Sequence, residues 1–208
     1  MSGSRLLRSR LASATPRLSA RDDRATEHLQ FIRETMERAG SFTAVSGVGQ
    51  TIVGVIGLFA AWIAGRQATQ DAWLATWVGT AALCAGVAAA AIRAKARRLG
   101  IPLYSGLARR FALTFLTPLV SGAVLTLVLY LDGMTARLPG TWLLLFGTAV
   151  VTGGALSVGV VPLTGVGFIA AAGVAFALPA PWGNLVMAAG FGLLNIVFGL
   201  IIAVKHGG

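Results

Sequence analysis

The side chains able to do chemistry are few and lie far apart. Gln50 and Asn195 fall near the middle of apolar stretches, Cys84 is the single cysteine, and His28 and His206 are the two histidines. Neither histidine has a cysteine or a second histidine beside it, so the spacing supplies no metal or haem ligand set, and no cofactor is expected. Ser46, Ser121, Ser157 and Cys84 have no base placed to activate them, so nucleophilic hydrolysis lacks its second member and the chain does not read as an enzyme. Carboxylates are absent from the apolar stretches, which removes the groups that ion-coupled transporters keep on their pathways. An amide in hydrocarbon needs a hydrogen-bond partner. Gln50 and Asn195 are therefore expected to act as interhelical glue, bonding each other or a backbone carbonyl, or else to line a solute site at the midplane. Cys84 has no cation nearby to favour thiolate and reads as a small packing residue.

Two glycine motifs, Gly47-Val-Gly49 and Gly165-Val-Gly167, superficially match phosphate-binding loops. No Lys-Ser/Thr follows either, and no strand precedes them. Among 27 glycines the shared motif is expected to be coincidence and not an internal repeat.

The elements that hold these residues are set by one stretch. From Leu138 to Val204 the chain carries no Asp, Glu, Lys, Arg or His. At about 1.5 Å per helical residue that is roughly 100 Å of helix, three crossings of a hydrocarbon core about 30 Å thick. Trp142 and Trp182 open the first and last of these crossings, because an indole prefers the headgroup level. Ser157-Val158-Gly159 and Pro179-Ala180-Pro181 are the expected turns, with Gly153-Gly154 loosening the helix before the first, Gly159 permitting unusual φ and Pro162 in the following first turn. Composition agrees with a polytopic membrane protein: 56% hydrophobic residues, 12% charged, and a mean hydropathy of +0.78.

In chain order, residues 1–21 carry Arg5, Arg8, Arg10, Arg17 and Arg21 without an acid or a continuous apolar core, and are expected to form a disordered basic tail. Residues 22–40 pattern as an amphipathic cytoplasmic helix. Ser19 with Asp22 suits a capping box, Glu34 precedes Arg38 by four, Gly40 suits the stop, and Leu29, Ile32, Met36 and Ala39 line one face with Phe31 at its flank. That face is expected to lie on the membrane or the bundle, or to bind a partner. Residues 41–208 form the transmembrane domain, with spans at about 42–64, 72–92, 111–131, 140–156, 160–178 and 182–204. The fold class is all-α, an integral membrane bundle of six transmembrane helices, with Pro118 kinking the third. Ala188, Gly192, Asn195, Gly199 and Ala203 make a small-residue packing face on span six, and Gly167, Ala171 and Ala175 repeat the device on span five.

All of the 17 Lys and Arg except Arg66 and Arg137 fall on one side of this arrangement. The positive-inside rule makes that side the cytoplasm, with both termini there. Trp62, Trp73, Trp77, Tyr130, Trp142 and Trp182 fall at the opposite ends of the spans as an aromatic belt, with Tyr104 the exception. Arg93, Lys95, Arg97 and Arg98, with Arg109 and Arg110, make a basic loop between spans two and three. It is expected to serve as topology determinant, with a contact of Arg93 to Arg98 with anionic lipid as the alternative. Nucleic acid is excluded as a partner because the +10 charge sits beside the membrane and in the tail.

Two passages, His28-Leu-Gln-Phe-Ile-Arg-Glu-Thr-Met-Glu-Arg-Ala-Gly-Ser-Phe-Thr-Ala-Val-Ser-Gly47 and Phe191-Gly-Leu-Leu-Asn-Ile-Val-Phe-Gly-Leu-Ile-Ile-Ala-Val-Lys-His-Gly-Gly208, resemble an uncharacterised family of small multi-spanning bacterial membrane proteins. The resemblance implies a bacterial inner membrane and brings no activity or site residue. From the residues the expected function is a non-enzymatic subunit, scaffold or assembly factor of a membrane complex, with other membrane subunits as partners. The alternative is a passive carrier or channel for a small neutral or lipid-like solute, with Gln50 and Asn195 on its path.

Overall fold

The computed structural model describes residues 46–99, 106–155 and 159–206. The expected basic tail, the 22–40 helix, Tyr104 and the Ser157-Val158 part of the first turn lie outside them. The elements among the described residues are all helices, without a strand: α1 (Gly47–Ala64), α2 (Gln70–Leu99), α3 (Gly106–Leu131), α4 (Leu138–Gly154), α5 (Val160–Ala177), and a last helix made of α6 (Gly183–Met187), a π-helical segment (Ala188–Leu194) and α7 (Asn195–His206). Five helices are long and apolar enough to cross a membrane: α1, Gln70–Ala94 of α2, Arg109–Leu131 of α3, α5, and Ala180–Lys205. That is the mark of a multi-pass membrane protein. The fourth, α4, has 17 residues.

Local chemistry explains the ends. Ser46, extended at ψ 120°, caps α1 by accepting from the Gly49 N–H at 3.3 Å, so the described helix starts at Gly47. At the other end of α1, Arg66 donates to the Trp62 carbonyl at 2.8 Å and lies 3.7 Å over the Trp62 ring. α3 stops on Gly133, whose φ of +69° few other residues adopt. The Gly133 N–H bonds Tyr130 and the Met134 N–H bonds Leu129, which together satisfy the last carbonyls. Pro139 sits in the first turn of α4, and Pro179 and Pro181 bracket the turn after α5. Gly159, which permits unusual φ, has an ordinary φ of −56°.

α2 departs most from expectation. Its 30 residues run to Leu99, well past the apolar part that ends at Ala94. Arg93, Lys95, Arg97 and Arg98 therefore stand on a helical extension and not in a loop, as do Arg109 and Arg110 at the start of α3. The reason is the alternation of alanine with arginine and lysine, among the best helix formers.

Packing follows glycine. α1 lies along the last helix and α4 lies along α5, while α2 packs on α1 and α3 on α4. A methyl added to Gly47 would fall 2.6 Å from the Gly199 carbonyl oxygen, and one added to Gly199 would fall 2.7 Å from the Thr51 nitrogen. Gly54 stands 2.7 Å from the Gly192 oxygen by the same measure, and Gly147 and Gly165 meet reciprocally at 2.8 and 2.7 Å. Gly47 and Gly54, Gly192 and Gly199, and Gly140, Gly147 and Gly154 are each seven apart. Seven residues are nearly two turns, so the glycines stay on one face and two backbones come into contact along a seam. Gly153 and Gly154, expected to loosen α4, instead admit the Phe111 and Phe115 rings and Val161.

Pro118 leaves a gap in the ladder of α3. A residue with an N–H at 118 would bond the Thr114 carbonyl, and proline cannot. The Thr152 hydroxyl of α4 donates to that carbonyl at 3.1 Å, sharing its proton with the Thr148 and Ala149 carbonyls of its own helix. Thr152→Val is expected to lower stability by about 1 kcal/mol and Thr152→Ser to restore it. A thermal-melting series in detergent checks this.

Candidate functional site

The buried core collects at one end of the bundle, the end carrying all five tryptophans. It contains Ala60, Ala61, Ala64, Trp77, Leu143, Phe168, Ala172, Val186 and Met187, with Trp73, Trp142, Phe146 and Phe191 packed against it. Trp73 and Trp77 are four apart on α2 and so share a face. Their indole N–H groups both donate to Oδ1 of Asn184, each at 3.2 Å, while Nδ2 of Asn184 donates to the Ala61 carbonyl at 2.8 Å. One amide thus joins α1, α2 and α6. Trp142 of α4 stacks on Trp73 with centroids 5.7 Å apart and planes 3° apart, and its N–H donates to Thr126 of α3 at 2.8 Å.

From this cluster a run of rings crosses the bundle. Trp77 meets Phe191, Phe191 meets Phe146 and Phe168 at 5.2 and 5.3 Å, Phe146 meets Phe115 edge-on at 6.2 Å, and Phe115 stacks on Phe111. Edge-to-face and offset contacts of this kind add about 0.5–1.5 kcal/mol per pair beyond burial. Outside the cluster, Tyr130 donates to Asp71 at 2.9 Å and Thr135 to Gln70 at 2.7 Å, which ties the α1–α2 and α3–α4 connections together.

The aromatic belt is therefore divided. Trp62 and Trp182 are exposed, as expected of headgroup residues, whereas Trp73, Trp77 and Trp142 turn inward, Trp77 to 5% exposure. Polar acceptors inside the bundle, Asn184 and Thr126, make that possible.

Gln50 and Asn195 are not brought together. Gln50 is the fourth residue of α1 and half-buried. Asn195 is 3% exposed at the junction of the π-helical segment with α7. Its N–H turns to the Gly192 carbonyl, and the Phe191 carbonyl that it would bond in a regular α-helix accepts from Asn195 Nδ2 at 2.9 Å. This amide bonds a backbone carbonyl of its own helix.

Of the span-six packing face, Gly192, Gly199 and Ala203 line the seam with α1, and Ala188 packs on the aromatic core. On α5 the tight seam is carried by Gly165 and the fully buried Ala172, while Gly167 meets Leu194 and Ala171 and Ala175 pack on the core. Arg93 and Arg97 are exposed, as are Arg109 and Arg110. Cys84 is half-buried. No group of three or more His, Cys, Asp or Glu among the described residues is placed to hold a metal ion.

The residue that sequence reasoning passed over is Asn184. The signal was present: two tryptophans four apart on one helix must find acceptors, and an asparagine two residues after Trp182 lies at the same membrane depth. Comparison with protein-family models, with curated proteins and with solved structures finds no match to this chain.

Proposed function

We propose that the chain is a six-span inner-membrane protein that serves as a non-enzymatic subunit, scaffold or assembly factor, binding a partner helix on α2. Six crossings are supported by α4. Although its 17 residues are about 25 Å long, it lies along α5 over its whole length, from Gly140 against Phe176 to Gly154 against Val161. A helix so aligned with a spanning neighbour crosses with it. The exposed Arg93, Arg97, Arg109, Arg110 and Lys205 at one end, against Arg66 and Arg137 at the other, favour a cytoplasmic placement of the first end, with both termini there.

The observation that carries the partner reading is a face of α2 that no described residue covers. Gly79 and Gly86 are seven apart, as in the glycine seams that join α1 to the last helix and α4 to α5, yet among the described residues a methyl on either would meet nothing within 4 Å. Only 6% of the apolar part of α2 is buried. Where no hydrophobic drive exists between helices, such faces gain their stability from close backbone contact. The buried polar groups offer no competing chemistry, since Asn184, Asn195 and the three inward indoles are bonded internally.

Native mass spectrometry of protein extracted gently from its own membrane tests this. A stoichiometric partner is expected on the unaltered chain and is expected to be absent from Gly79→Ile/Gly86→Ile, at unchanged melting temperature. A partner that survives the double substitution removes the reading.

A further inference from the structure

We infer that the tryptophan end of the bundle holds one phospholipid with a phosphoethanolamine head, seated where the end of α5 meets the starts of α4 and the last helix. Two hollows adjoin there and share Leu178 as a wall. The first, of about 220 Å³, is lined by Arg137 ahead of α4 and by Ala175 and Phe176 at the end of α5. The second, of about 370 Å³, is a groove lined by apolar side chains, with Ala171, Val174 and Leu178 on one wall and Trp182, Leu185 and Ala189 of the last helix on the other. Each wall covers seven positions, about 10 Å of helix, running inward from the level of the exposed Trp182. That is the depth of the upper part of an acyl chain, since one leaflet of hydrocarbon is about 15 Å thick.

The end of α5 selects the head. The Leu178 N–H bonds the Val174 carbonyl, but Pro179 has no N–H to offer the Ala175 carbonyl, so the first hollow keeps an acceptor at the negative end of the helix dipole. Arg137 brings the opposite charge and donors suited to phosphate. Among the described residues no acid lines either hollow. Every junction with residues outside the described ones, at 46, 99, 106, 155, 159 and 206, lies at the opposite ends of the helices, a helix length from both hollows. The first hollow therefore suits an anion and an N–H-bearing cation side by side, the phosphate and ammonium of phosphoethanolamine. Choline carries the same charges but no donor on its nitrogen, and phosphoglycerol has hydroxyl donors but no cation for the dipole. A free phosphate would leave the groove beyond Leu178 uncovered. A phospholipid fills both sides of Leu178 with one molecule.

The site rests on the membrane reading above but not on the partner helix, because no residue of α2 lines either hollow. The test mixes the full chain, purified in mild detergent, with equal amounts of phosphatidylethanolamine, phosphatidylcholine and phosphatidylglycerol of matched acyl chains, and native mass spectra count the lipid each chain keeps. One phosphatidylethanolamine per chain is expected, with a several-fold preference over the other two. Arg137→Gln is expected to lower its retention several-fold and Arg137→Lys to keep most of it. Ala189→Phe, which fills the groove from an exposed position, is expected to lower retention with Arg137 in place. Arg66→Gln is expected to change nothing, because Arg66 lies over the Trp62 ring at 3.7 Å. Gly79→Ile/Gly86→Ile is likewise expected to keep the lipid, so loss of the partner and loss of the lipid are read separately. Equal retention of phosphatidylethanolamine and phosphatidylcholine overturns the proposal, as does phosphatidylglycerol held equally well. So does phosphatidylethanolamine that survives either Arg137→Gln or Ala189→Phe undiminished.

Discussion

Gly47→Val is expected to separate α1 from the last helix and to lower the melting temperature in detergent more than any surface substitution. The new side chain would start between the Gly199 oxygen, 2.6 Å from its first carbon, and the backbone of Ala203. Both obstacles are main chain and cannot rotate aside, unlike the leucine side chain that faces Gly192. Overpacking a well-filled site costs about 1–3 kcal/mol, and a backbone obstacle puts this case at the upper end. Thr51 adds to the effect, because its hydroxyl donates to the Gly47 carbonyl at 3.0 Å in the same contact. Gly86→Val supplies the control. It carries the same change of propensity within a helix but enters open space, so only the intrinsic difference between glycine and valine is expected. Equal losses at positions 47 and 86 would show that the seam contributes nothing beyond propensity.

Asn184→Leu is the second large effect. It keeps volume and removes the acceptor of two indole N–H groups together with the donor to Ala61. The Ala61 carbonyl retains the Gly65 N–H at 2.9 Å, so the penalty falls on the tryptophans. A buried donor left unpaired costs about 1–3 kcal/mol, and Trp77 is the more deeply buried of the two. A total near 3 kcal/mol is expected, and the Asn184→Leu/Trp77→Phe double variant is expected to lose less than the sum of the two single variants, because it has one fewer donor to satisfy. Melting curves for the full cycle measure the coupling. A double variant whose loss equals the sum of the single losses would sink the shared-acceptor account.

These two residues also mark what a one-dimensional reading reaches. The crossings were legible because lipid allows few charges and because turns need proline or glycine, so the ends of α4 and α5 fall within two residues of expectation. The extension of α2 past Ala94 was not, since the charges of Arg93 to Arg98 suggested a loop while their alanine spacers favoured helix. The face of each tryptophan was not legible either. Trp73 and Trp142 look alike to Trp182 in sequence, and it is Asn184, more than a hundred positions from Trp73 and Trp77, and Thr126, the acceptor for Trp142, that decide which indoles turn inward. The glycine seams stayed hidden for a related reason. The small residues of span six were evident, but their seven-residue match to Gly47 and Gly54 belongs to a pair of helices at opposite ends of the chain.

That pairing of first helix with last governs how the protein can be made. During synthesis α1 is made before the last helix, and its glycine face waits while every helix between them is translated. Asn184 and Ala61, which meet across the seam, are separated by 123 positions. Until then α1 can rest on α2, and α4 on α5, but the seam between α1 and the last helix stays open. A ribosome stalled before Gly192 therefore leaves a nascent chain with its backbone bared along one helix, a form that a membrane protease could distinguish from the finished protein by that face alone.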